Sequence, residues 1–237
     1  MIIIPARLSS SRLPNKVLAE INDKPMIIWC AEVAKKVDDV CIATDSQEVI
    51  NVCEKYGFNA IMTDKNHQSG SDRIKEAADI LNLKENEIVI NMQGDEPFLE
   101  PEILQKVKDK LIEIKNRDFV MVSCYKKIDE LHAQDPNLVK VIMDKNNNAI
   151  YFSRSKIPYN RDDEPHTYYG HIGIYGFDKK SLDKFVTMKG NIEHIEKLEQ
   201  LRVIENGEKI AMIKVKTKSF GIDTIDDLKK AREQIKN

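Results

Sequence analysis

Cysteine is scarce in this 237-residue chain, and the four present, Cys30, Cys41, Cys53 and Cys124, show no CxxC spacing and no neighbouring histidine. That spacing gives no support for a zinc centre or a disulfide framework, and the apolar runs around these thiols read as sites for small, buried, reduced side chains. Long hydrophobic runs are also missing. No stretch approaches the roughly 20 apolar residues of a spanning helix, and the amino end lacks the charged, apolar and small-residue succession of a secretory leader. The expectation is a cytoplasmic protein without membrane insertion. Nor is there an excess of one charge. With 37 Lys and Arg against 39 Asp and Glu, the formal net charge is -2, which removes the broad basic field used to bind nucleic acid. An anion site, if present, is local. The chain contains neither the GxxxxGK[ST] phosphate loop nor the GxGxxG dinucleotide fingerprint, so those two nucleotide-binding classes lose support. It also has no low-complexity segment, no internal repeat and no Pro/Gly-rich linker, which favours one domain over residues 1–237 with a mixed lobe at residues 120–180.

What is present alternates. The short apolar or β-branched runs "MIII", "DVCIATD", "NAIMTD" and "EIVINMQGDEP" are separated by longer stretches of helical spacing, such as "PMIIWCAEVAKKV" and "SQEVINVCEKYG". This is the pattern of an α/β fold with a mostly parallel central sheet covered by helices. Polar residues at the carboxyl ends of such strands line a crevice at one sheet edge, and Arg7, Asp45, Asp64 and Asp95 all occupy such ends. After "PEILQKVKDKLIEIK", read as a helix, the pattern becomes mixed. "FVMVSCYKKI" and "HIGIYGF" read as strands, "DKNNN" as a hairpin turn, and "NIEHIEKLEQLRVIENG" as one helix closed by Gly207. "KIAMIKVK" then predicts a late strand before a closing helix, "DDLKKAREQIK".

Several stretches carry chemistry. The loop "PARLSSSRLPNK" places Arg7, Arg12 and Lys16 among hydroxyls directly after a buried strand, a set of donors suited to polyphosphate oxygens, although a solvated basic turn has the same composition. "NMQGDEP" presents Asp95 and Glu96 at the same sheet edge, where hard oxygen ligands suit Mg²⁺. Asp223 in "GIDT" is a second carboxylate, and "DTIDD" equally reads as an acidic helix start. "HQSGSDR" has the pattern of a helix cap with donors turned toward the crevice. Arg154 in "YFSRSKIP" reads equally as a bidentate partner for a substrate carboxylate or as a solvated cation. His171 and Tyr175 share a strand face, and Glu199 and Gln200 fall together in the expected helix, where all four suit sugar hydroxyls or ordinary half-buried packing.

Together, "IIPARLSSSRLPNK", "KPMI", "ATD", "HQSG", "NMQGDEP", "PNLVKVIMD", "YFSR", "HIGIYGF", "IEKLEQLR" and "GIDT" span almost the whole chain. In them the sequence resembles the 3-deoxy-manno-octulosonate cytidylyltransferase (CMP-Kdo synthetase) family. The resemblance implies a Rossmann-like nucleotidyltransferase fold and an enzyme that joins CTP to Kdo, releasing pyrophosphate, for lipopolysaccharide biosynthesis. It also implies Arg7, Lys16, Asp95 and Asp223 as catalytic residues, with Asp95 and Asp223 holding Mg²⁺. Nucleotide binding would fall to Arg7, Ser11, Arg12, Lys16, Gln68, Ser69 and Arg73. The sugar would be met by Gln93, Arg154, His171, Tyr175, Glu199 and Gln200, and the family is usually a homodimer. Two other readings stay open at this level. One is a cytidylyltransferase for another acidic sugar, such as a sialic acid or 8-amino-Kdo; the other is a non-catalytic nucleotide-binding module.

Overall fold

A computed structural model describes residues 1–9, 13–115 and 118–236. The chain opens with β1 (Ile2–Ala6), a loop, a 3-10 turn at Lys16–Leu18, the small strands β2 (Glu20–Ile21) and β3 (Lys24–Pro25), and α1 (Met26–Lys35). The alternation continues through β4 (Val40–Thr44), α2 (Gln47–Lys55), β5 (Asn59–Met62), α3 (Gly70–Ile80), β6 (Ile88–Asn91) and α4 (Pro101–Glu113). The second half is mixed, with β7 (Met121–Ile128), the short α5 (Glu130–Ala133), the hairpin β8 (Lys140–Met143) and β9 (Ala149–Ser153), and β10 (Tyr168–Asp178). It ends with α6 (Lys179–Thr187), α7 (Ile192–Glu196), α8 (Leu201–Glu205), β11 (Ile210–Lys214) and α9 (Ile225–Lys236).

The main sheet has the order β11-β7-β10-β6-β1-β4-β5. Pairings β1–β4, β1–β6, β4–β5 and β7–β11 are parallel, whereas β10 runs antiparallel to both β6 and β7. The expected mostly parallel, helix-covered sheet is therefore present, with β10 reversed where its halves join and the β8–β9 hairpin added beside β10. Both faces are covered, which is why the strands read as unbroken apolar runs. On one face Ile2 and Ile4 pack with Ile28 and Leu104; on the other, Ile3 packs with Ile74, Ala77 and Phe185. Helix α4 lies so close to β10 that a Cβ on Gly176 would stand 2.5 Å from Val107 Cγ1, so only glycine fits there without movement. All four cysteines are buried and free, and burial pushes the thiols of Cys53 and Cys124 up to about 12. Among the described residues no helix is long and apolar enough to cross a membrane.

One expected element is different. The stretch 192–205 is not a single helix: Lys197 takes the left-handed conformation (φ 55°, ψ 48°), ending α7, and α8 starts at Leu201. In a straight helix Glu193 and Arg202 would lie about 13 Å apart along the axis, at about 1.5 Å per residue. Here the guanidinium of Arg202 hydrogen-bonds Glu193 directly and stands 3.8 Å from Asp72 of α3. Folding back brings this ion pair together, and it places Glu199 and Gln200 in the link between two short helices rather than within one.

Candidate active site

The β1–β6 pairing stops at Ile3 and Asn91, and a cleft opens beside the carboxyl ends of the two strands. The carbonyls of Met1 and Ile3 point to β6 and accept from Ile90 and Met92. The alternation turns Pro5 the same way, beyond the last β1–β6 pair, Ile3 with Asn91. Its missing N–H therefore leaves no ladder bond unmade. Gly94 completes the approach, since a Cβ there would lie 3.1 Å from the Pro5 carbonyl oxygen. The resulting cavity has a volume of about 370 Å³. It is lined by Arg7, Ser9 and Lys16 from the loop after β1, by Gln68, Ser69 and Arg73 from the start of α3, and by Gln93, Asp95 and Asp223 from the segments after β6 and before α9. Ser11 and Arg12 lie outside the described residues.

Lys16 is the centre of the charge arrangement. Asn15 in the left-handed region (φ 53°) and the buried Val17 fix the 3-10 turn that presents it. Its ammonium donates to Asp95 Oδ2 at 2.6 Å and to Asp223 Oδ1 at 2.8 Å. Burial opposes this charge, but attraction to Asp95 and hydrogen bonds to Asp223 and Asp95 outweigh it, so the ammonium is held above its ordinary pKa. The two carboxylates come from distant parts of the chain, the loop after β6 and the segment before α9, and are tied together by the backbone, the N–H of Ile222 donating to the Asp95 carbonyl at 2.9 Å. Glu100 anchors the approach to Asp223 by accepting from Thr217 Oγ1 and the Lys218 N–H. Beyond it, Thr224 and Asp227 exchange hydrogen bonds as a capping box opening α9. The stretch "DTIDD" is thus a helix start that also positions a site carboxylate. Two carboxylate oxygens converging on one cation fit a hard dication that completes its shell with phosphate oxygens and water. Among the described residues no cluster of three or more His, Cys, Asp or Glu offers a fuller protein cage.

The α3 wall is built as its sequence predicts: Ser69 caps the helix, its hydroxyl accepting from the Asp72 N–H at 3.1 Å. Ser71 donates to Glu199 Oε1 at 2.9 Å. Burial pushes the Glu199 carboxyl above its ordinary range, with the Ser71 hydrogen bond and Arg202 opposing the rise. Tyr175 donates to Gln200 Oε1 at 3.0 Å and faces Asn91 across the β6–β10 pair, while Gln93 reaches the Asn91 amide oxygen at 3.4 Å. Behind Gln93 the structure thus joins Asn91, Tyr175, Glu199 and Gln200 into one polar cluster. Asn91 Nδ2, Glu199 Oε2 and Gln200 Nε2 in that cluster are buried without a hydrogen-bond partner among the described residues. Such atoms are costly unless a ligand or water meets them. His171 stacks on Tyr175 at 5.7 Å and pairs with Ser123 Oγ at 2.9 Å; burial lowers its pKa to about 3, so the ring is neutral. Arg154 is placed outside the cavity lining, its Nε donating to the Glu196 carbonyl and its Nη1 to the Pro136 carbonyl.

The sequence profile of the family described as Cytidylyltransferase matches residues 1–210. A 3-deoxy-manno-octulosonate cytidylyltransferase of a Nitratiruptor species is 52% identical over 97% of this chain and 97% of that protein. One from Wolinella succinogenes is 49% identical over 98% of this chain and 97% of that protein. The chain belongs to the 3-deoxy-manno-octulosonate cytidylyltransferase family. A solved structure of CMP:2-keto-3-deoxy-manno-octonic acid synthetase complexed with CTP superposes with a TM-score of 0.93 at 36% identity, covering 99% of this chain and 97% of that one. The central sheet and its helices are thus a nucleotidyltransferase fold.

In this cytidylyltransferase some site features escaped the sequence. His67 lines the cleft and is held by Glu76, and its place inside "HQSG" was the available signal. Asn91 ends β6, and its buried amide nitrogen, without a partner among the described residues, is marked by nothing in the local sequence. Glu96, which the sequence offered beside Asp95, is not among the residues that line the cleft; burial first, then the Asp95 charge, lifts its carboxyl to about 7.

Proposed function

We propose that the protein transfers CMP from CTP to Kdo, giving CMP-Kdo and pyrophosphate, and that it does so for lipopolysaccharide biosynthesis in the cytoplasm. The observation that carries this reading is the Lys16 ammonium shared by Asp95 and Asp223 in a cleft whose walls also bear Arg7 and Arg73. A cation, a pair of carboxylates and two guanidiniums in one crevice suit a nucleoside triphosphate with its metal. Full-length similarity to proteins named for this reaction supports the choice of substrates.

In this reading Arg7, Lys16 and the donors of Ser11 and Arg12 hold the triphosphate, and Gln68, Ser69 and Arg73 face the base and ribose. The sugar lies against Gln93, with Glu199, Gln200, Tyr175 and His171 behind it and Arg154 toward its carboxylate. The anomeric hydroxyl attacks the α-phosphorus; the new P–O bond forms as the α–β bridging P–O bond breaks and pyrophosphate departs. No covalent intermediate is required, so catalysis is orientation and charge neutralisation. Lys16 stays protonated throughout and balances the charge that builds on the leaving pyrophosphate. Asp95 and Asp223 would hold Mg²⁺, which would add to the neutralisation of phosphate oxygens and lower the pKa of the attacking hydroxyl. We further propose a homodimer that pairs through the mixed lobe of a single domain, supported by the exposed apolar side chains Leu131, Ile150 and Tyr159 there.

A pyrophosphate-release assay with CTP, Kdo and MgCl₂, with the product weighed by mass spectrometry, tests the reading. Formation of CMP-Kdo is the expected result. Pyrophosphate release with a sialic acid or 8-amino-Kdo but not with Kdo would move the enzyme to another acidic sugar, and CTP binding without turnover on any of them would make it a binding module.

A further inference from the structure

Asp45 stands at the carboxyl end of β4 and does not line the cleft, yet it touches both walls. Its Oδ1 accepts the Leu8 N–H at 3.2 Å, and its Oδ2 accepts from Arg73 Nη2 at 3.0 Å. Leu8 lies between Arg7 and Ser9, both on the cleft, so that bond fixes the peptide from which the Arg7 side chain departs. Arg73 is held on its other nitrogen by Thr63, Nη1 donating to Oγ1 at 2.6 Å, and Thr63 Oγ1 in turn donates to the Thr44 carbonyl at 3.0 Å. The pair is withdrawn from solvent, with side-chain exposures of 4% for Arg73 and 12% for Asp45. A guanidinium so buried requires a counter-charge, and its two engaged nitrogens leave it one orientation.

We propose that Asp45 is a positioning residue for the nucleotide. It locks the loop after β1 to Arg73 of α3, so that Arg7 and Arg73 are presented to one ligand at a set separation. This rests on the reading of the cleft as the CTP site. The sugar-side cluster of Asn91, Tyr175, Glu199 and Gln200 shares none of the bonds Asp45 makes, so the effect of losing Asp45 falls on one substrate. Pre-set walls spare the ligand the ordering that binding would otherwise require.

Asp45→Asn keeps the volume and one acceptor but removes the charge and sets an amide donor or a neutral oxygen against Arg73. Titration calorimetry with CTP alone, and steady-state kinetics with CTP and Kdo, give the reading. The expected result is a CTP Kd raised at least about tenfold, with the KM for Kdo at saturating CTP changed by less than about twofold. Asp45→Glu retains the charge for Arg73 while shifting the carboxylate by one methylene, so it guards against a variant that does not fold; its CTP affinity is expected to fall as well. A lowered melting temperature with unchanged CTP affinity would make Asp45 merely structural and overturn the proposal. Parallel rises in both KM values would overturn it too. Wild-type protein that fails to bind CTP would instead overturn the reading of the cleft, and the proposal with it.

Discussion

Acidification should destabilise this protein through one ring. His171 is buried, edge-on to Phe152 at 4.9 Å and stacked on Tyr175, with Ser123 Oγ as its hydrogen-bond partner. Loss of solvation is the cause that lowers its pKa from 6.5 to about 3. Below pH 6.5 the unfolded chain takes up a proton at this position while the native ring stays neutral, so the unfolded state binds more protons and stability falls with pH. The contribution is full above 6.5 and is lost progressively as pH falls toward about 3. The slope is about 1.4 kcal/mol per pH unit, so near pH 4.5 the loss reaches about 2–3 kcal/mol. His171→Gln retains an amide for Ser123 and does not titrate. Urea unfolding followed by the fluorescence of Trp29, the single tryptophan, measures both proteins from near neutral pH downward. The wild type should lose about 2–3 kcal/mol more than the variant by about pH 4.5. Parallel stability curves for the two would refute the reasoning, because they would mean that the native ring takes up its proton as readily as the unfolded one.

Three further outcomes are expected. Asp223→Ala should lower Mg²⁺-dependent turnover at least about 100-fold with a small change in melting temperature, since the side chain is 40% exposed; near-normal turnover would remove Asp223 from the site. Arg154→Ala should raise the KM for Kdo more than that for CTP, and should also cost some stability because the guanidinium fastens two backbone carbonyls; equal effects on both substrates would argue against contact with the sugar. Gly176→Ala would press a methyl group against Val107 and Leu111, costing about 1–3 kcal/mol in chemical denaturation with little effect on substrate KM values; unchanged stability would show that α4 does not sit on β10 as described.

Local features were legible wherever one segment's chemistry suffices. The hairpin turn "DKNNN" forms as read, with Asp144 Oδ1 accepting from the Asn146 and Asn148 N–H groups and Asn147 in the left-handed region. Ser69 caps α3 and Gly207 (φ 73°) closes α8, each from a side-chain or backbone preference that needs no distant partner. The single helix expected over "NIEHIEKLEQLRVIENG", residues 191–207, failed for the opposite reason. Its apolar spacing continues through Lys197, but pairing Arg202 with Glu193 and Asp72 and Glu199 with Ser71 outweighs the helical bonds given up at the break. Arg154 read from sequence as a partner for a carboxylate, and only the folded chain shows its guanidinium donating to the carbonyls of Pro136 and Glu196.

By itself the sequence determined the alternating α/β character, the caps and turns, the balanced charge that makes any anion site local, and the motifs that carry the family resemblance. All of these follow from preferences acting within a few residues. Tertiary structure alone decided that β10 inserts antiparallel between β6 and β7, and that Asp95 and Asp223 meet on Lys16 across sequence separations of 79 and 207 residues. It also decided that Asp45 spans the two walls of the cleft. Periodicity records which face of a segment is buried, but not which segment covers it. The partners of a charged group at a strand end are chosen by the packing of the whole sheet.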